Sequence, residues 1–264
     1  MHLVTLGTSF QALYLVFLLF FVVFVINLFV LSAFFLVRAI QLKMKNIAIF
    51  GIAVLSIGIG FIGNMLFGLG GIFEEICVSI GFTLIVVFTN LTFHKNKGYK
   101  YKLIPIIVII FAIINLILRL LNVQYHTSSI YYIAQSFDII YTFFVFFWLG
   151  FSSLKAYQSL EKVSIPPWVR YRYRLLSIAG FTLGLQAIPE IFAPPGSHYG
   201  DPNAIVVLAF GLTALIVLIS SIFFMLAWII PSWLKTYLNK DYKRIEDPEL
   251  NEKEILNLVR NDLS

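Results

Sequence analysis

Five ionisable side chains stand inside the long apolar runs of this 264-residue chain: Glu74, Glu75, Arg119, Asp138 and Glu190. A charge in hydrocarbon is costly, so each must face a bundle interior, a water-filled cavity or a partner of opposite sign. The carboxylates outnumber the guanidinium, leaving negative charge that a small ligand, a cation, an amine or a proton would neutralise. Asn64 and Gln186 lie at comparable depth and add amide donors and acceptors. Asn64, Glu75, Arg119, Asp138, Gln186 and Glu190 therefore form a candidate ligand-binding centre, an acidic outward-facing pocket with Asp138 as its floor. A second reading uses the same residues: Arg119 pairs with Glu75, Asp138 or Glu190 only to lock helices together, while Glu74 snorkels to water. Pro189 precedes Glu190 and removes a backbone donor, so the helix there either kinks, as a hinge in the pocket wall, or ends early.

Other chemistries find little purchase. His126 and His198 fall in loops, with Asp201 three residues after His198, but no paired-histidine helix motif is present. There is no Gly-rich phosphate loop and no nucleophile elbow. Cys77 is the single cysteine, which excludes an intramolecular disulfide and a cysteine metal cluster. The expectation is a protein without catalytic residues, metal or cofactor.

The elements that must position these residues are set by composition. The chain is 60% hydrophobic and 12% charged, and its mean hydropathy of +0.92 is that of an integral membrane protein. A hydrocarbon core of about 30 Å needs about 20 apolar residues in a helix. Seven runs meet that length, at 10–38, 47–67, 72–93, 103–121, 129–154, 174–193 and 204–231. The predicted fold is an all-α bundle of seven transmembrane helices over 1–232, with a tail at 233–264. Residues 1–11 carry no Lys or Arg, so the first run is read as a retained helix rather than a signal peptide.

Eighteen of the nineteen Lys and Arg residues fall in alternate connections and in the tail; Arg119 is the exception. Short Lys- and Arg-rich loops stay cytoplasmic, which predicts an outer N-terminus and a cytoplasmic C-terminus in a cell-membrane protein. The basic residues thus answer to membrane orientation and to anionic lipid at the inner face, and nucleic acid is not an expected partner. Residues 165–174 alternate cations with aromatics, as an interfacial anchor does. Residues 233–244 have the pattern of a helix lying on the membrane surface. Beyond Asp247 and Pro248, Ile255, Leu256, Val259 and Leu263 share a helical stripe that could bind a cytosolic protein or fold onto the chain's own loops.

A weak internal repeat pairs Phe34, Ala39 and Gln41 with Phe151, Ala156 and Gln158, Gly58 with Gly184, Asn64 with Glu190, and Gly81 with Gly211. It is either a parallel repeat of three helices, joined by the fourth, or a similarity of composition. The layout resembles that of seven-helix receptors, including a membrane-parallel helix after helix seven, and also that of sugar-efflux seven-helix carriers, without the signature motifs of either. The leading expectation is a sensor or receptor-like protein that takes a small ligand, cation or proton outside and signals through its inner loops and tail. The alternatives are a small-solute or cation transporter and a structural subunit of a membrane complex.

Overall fold

A computed structural model describes residues 8–94, 98–125, 127–162, 165–197, 201 and 203–240. Seven long helices follow one another: α1 (Thr8–Leu42), α2 (Lys45–Met65), α3 (Gly71–Phe93), α4 (Tyr99–Tyr125), α5 (Ser128–Ser159), α6 (Pro167–Gly184) and α7 (Ala204–Trp228). A short α8 (Ser232–Leu238) follows. All seven are long and apolar enough to cross a membrane once the turn after α6 is included in its span. Their outward faces carry large apolar residues; on α4 these include Ile106, Ile107, Ile109, Ile110, Ile113, Ile114 and Ile117. Such a surface requires lipid as its solvent, and the chain is a multi-pass helical membrane bundle.

Helices α1, α2, α3, α5, α6 and α7 neighbour one another in that order, and α7 closes the ring on α1. Helix α4 stays outside the ring, against α3 and α5. The ring is filled by aromatic side chains in edge contacts, such as Phe35 with Phe50 at 4.7 Å and with Trp228 at 4.9 Å, and Phe82 with Phe146 at 4.8 Å between ring centroids. Glycine sets two of the closest helix approaches. A Cβ on Gly180 would lie 2.8 Å from the backbone nitrogen of Gly150, and one on Gly81 would lie 2.8 Å from the Ala53 carbonyl oxygen. Without side chains there, the α5–α6 and α2–α3 backbones come within direct contact.

Local chemistry places the ends. Thr127 and Asn203 cap α5 and α7 by accepting the backbone N–H groups of Ile130 and Ile205. The turn into α3 uses Gly68 and Gly70 at φ +63° and +85°, a region glycine enters without steric cost. Helix α1 remains one helix of 35 residues, so its long apolar run is a single element.

Helix six departs most from the sequence expectation. It begins at Pro167 rather than near 174, and its regular part ends at Gly184, five residues before Pro189. Pro189 cannot donate to the Leu185 carbonyl, and its ring would crowd that oxygen. Ile188 N–H takes the carbonyl instead, at 3.2 Å, and the chain tightens into a 3₁₀ turn over Pro189–Phe192. The Thr213 hydroxyl of α7 donates to the freed Gln186 carbonyl at 3.0 Å. The break is therefore held by neighbouring protein, the condition under which irregular backbone is tolerated at membrane depth.

The early start of α6 also carries Arg172 out of the connecting segment and into the packed helix. Arg172 is 5% exposed, with its guanidinium 5.1 Å from the Trp228 ring and 5.5 Å from the Trp168 ring. Aromatic faces sheath the cation. Of the tail helix expected over 233–244, the portion to Leu238 is present as α8; Ile255, Leu256, Val259, Leu263, His126 and His198 lie outside the described residues.

Candidate functional site

Helix α4 presents Asn115 and Arg119, one turn apart on one face, to the seam between α3 and α5. Arg119 Nη2 lies 3.2 Å from Asp138 Oδ2, and its Nε lies 3.6 Å from Glu75 Oε2. Asn115 Nδ2 donates to the other oxygen of each carboxylate, to Glu75 Oε1 at 2.7 Å and to Asp138 Oδ1 at 3.0 Å. One amide and one guanidinium thus bridge two carboxylates on two helices. Glu75 receives a further, long hydrogen bond from Ser79 at 3.5 Å.

Around this centre lie the remaining carboxylates. Asn64 of α2 donates to Glu74. The Tyr131 hydroxyl of α5 donates to the Glu190 carbonyl at 3.3 Å, tying the broken end of α6 to α5. Glu190 is within electrostatic reach of both Asp138 and Arg119. The cluster joins α2, α3, α4, α5 and the end of α6 at one end of the bundle.

Compared with known proteins, the chain matches no family model, no curated relative and no solved structure. Its chemistry has to be argued from the geometry itself.

Two buried acceptors distinguish the cluster from a simple ion-pair lock. Asn115 is 0% exposed and Gln135 4%; among the described residues no donor meets Asn115 Oδ1 or Gln135 Oε1, although the Asn115 amide nitrogen serves both carboxylates. Buried acceptors of this kind are met by water, by a donor or by a cation. Among the described residues, no three His, Cys, Asp or Glu side chains converge as metal ligands. The arrangement suits a proton, a monovalent cation or a small ammonium group better than a divalent metal, which needs several oxygens converging on one point.

The interior of the ring differs from the sequence expectation. Its central cavity, about 50 Å³, is lined mainly by apolar side chains such as Phe61, Phe82, Phe146 and Val217, with Gln186 and Ser221 as polar members. Of the predicted binding residues, Gln186 is on that wall; Asp138 is not its floor but faces α4. The reason is tertiary: α4 sits outside the ring, so the groups that face it point away from the ring's centre.

Asn115 and Gln135 are not among the amides that depth alone singles out, Asn64 and Gln186. Their signal was spacing: Asn115 is four residues before Arg119 and Gln135 three before Asp138, each on the face of its charged neighbour.

Proposed function

We propose that this protein is a membrane sensor of a proton or small cation, taken up at the centre built by Glu75, Asn115, Arg119, Asp138, Gln135 and Glu190. The observation that carries the reading is the bridge from α4 to α3 and α5, where one guanidinium and one buried amide hold two carboxylates. A bound cation or proton changes the charge that Arg119 must balance, and so changes how firmly α4 is held against the ring. The broken end of α6 moves with it, through Tyr131 and the Glu190 carbonyl. Arg38, Lys43, Lys45, Lys102, Lys155 and Lys235 belong to the opposite end of the bundle, which supports a cytoplasmic basic end and an outward acidic one. Output then passes through the basic loops and tail to a separate protein.

A transporter is the second reading, favoured by the ring. Exchanging α1, α2 and α3 with α5, α6 and α7 maps the α1–α7 contact onto α5–α3, as a parallel repeat would. Gly58 faces the Phe29 ring and Gly184 the Phe147 ring, one residue out of the register that pairs Phe34 with Phe151. Gly81 and Gly211 do not correspond: Gly81 abuts α2 and Gly211 abuts Phe17 of α1.

Hydrogen exchange of the protein in nanodiscs, with and without sodium, methylammonium or a step to mildly acid pH, tests the sensor. At least one addition is expected to alter exchange in α4 and in residues 185–192, and Asp138→Asn to abolish the response. No response to any of the three overturns the proposal. Flux of the responding cation across proteoliposomes replaces the sensor with the transporter.

A further inference from the structure

At the basic end of the bundle, α3, α4 and α5 enclose a groove of about 250 Å³ lined by His94, Tyr101, Ile104, Trp148, Phe151 and Lys155. Its walls are pinned. Asn90 accepts from Trp148 Nε1 at 2.9 Å and donates to the Tyr101 carbonyl at 2.7 Å, while His94 Nε2 meets the Ser152 hydroxyl at 2.8 Å. The His94 ring stacks on Tyr101, with centroids 4.6 Å apart, and lies 4.9 Å from Trp148. Hydrogen bonds and ring stacking thus fix the lining side chains relative to one another.

We propose that this groove is a binding site for one anionic phospholipid, with the headgroup phosphate on Lys155 and the glycerol backbone against Tyr101 and Trp148. The Lys155 ammonium lies 4.6 Å above the Phe151 ring, which holds the charge near the groove while leaving N–H donors for a phosphate. The volume corresponds to about eight liquid waters, room for a headgroup rather than a lone ion. Trp148 and Tyr101 are the amphipathic aromatics that settle at headgroup depth. Phe151 is 47% exposed, and α4 carries outward Ile106 and Ile107 just beyond Pro105, which follows the groove residue Ile104, so an acyl chain leaving the site meets apolar surface. A soluble anion would use the cation but leave these apolar surroundings unmatched.

The test is native mass spectrometry of the delipidated full chain, titrated in detergent with phosphatidylglycerol or phosphatidylcholine. The wild-type protein is expected to hold one phosphatidylglycerol about fivefold more tightly than phosphatidylcholine, the scale of one basic residue at an anionic surface. Lys155→Gln is expected to remove that preference. Lys155 is partly exposed and makes no ion pair among those described, so the variant should fold; Lys235→Gln, a cation elsewhere at the same end, should keep it. Equal retention of both lipids by the wild type, an undiminished preference in Lys155→Gln, or displacement of the lipid by millimolar inorganic phosphate would each overturn the proposal, the last by assigning the groove to a free anion.

Discussion

Replacing Arg119 by Gln removes the cation that, among the described residues, faces Glu75 and Asp138, and leaves both carboxylates with Asn115 as their shared donor. At an effective dielectric of about 20, a unit pair at these separations attracts by about 5 kcal/mol before desolvation is charged against it. Breaking a fully buried pair costs about 3–5 kcal/mol and an exposed one less than about 1. Arg119 is 24% exposed and its partners 14% and 16%, which places the net loss between those limits, at about 2 kcal/mol. SDS-driven unfolding in mixed micelles, followed by tryptophan fluorescence, measures it. The double variant Arg119→Gln with Asp138→Asn removes one charge of each sign, so it should be more stable than the sum of the single losses by about 1 kcal/mol. A loss below about 0.5 kcal/mol for Arg119→Gln, or strict additivity with Asp138→Asn, would refute the bridge as the element that holds α4.

Two further outcomes follow from the packing and from the break in α6. Gly180→Ala places a methyl against the Gly150 backbone and the Phe146 carbonyl, atoms that cannot move aside, and is expected to cost about 1–3 kcal/mol in the same unfolding assay; Gly71→Ala, whose Cβ would meet nothing within 4 Å, should be close to neutral. Thr213→Val removes the hydroxyl that satisfies the Gln186 carbonyl; hydrogen exchange in residues 185–192 should rise several-fold, with a stability loss of about 1 kcal/mol. Unchanged exchange there would mean that the break does not depend on α7.

The sequence by itself determined the class of protein and the number of helices long and apolar enough to span, because about twenty consecutive apolar residues can satisfy their backbone in lipid only as a helix. It also determined which side chains could carry charge chemistry, since Glu75, Arg119, Asp138 and Glu190 are conspicuous wherever the surrounding run is apolar. Helix boundaries were less legible. Arg172 reads as a loop cation until Trp168 and Trp228 are brought around it, and the unwinding at Gly184 begins before the proline that causes it, because proline acts on a carbonyl four residues back. The composition of the centre was decided only by tertiary structure. Nothing in the order of the chain says that α4 leaves the ring, yet that placement turns Glu75 and Asp138 toward Asn115 and Arg119 and leaves the ring's own cavity apolar. Hydrophobic runs are indifferent to which neighbour they pack against; the few directional polar contacts are not, and they are visible only when the helices are side by side.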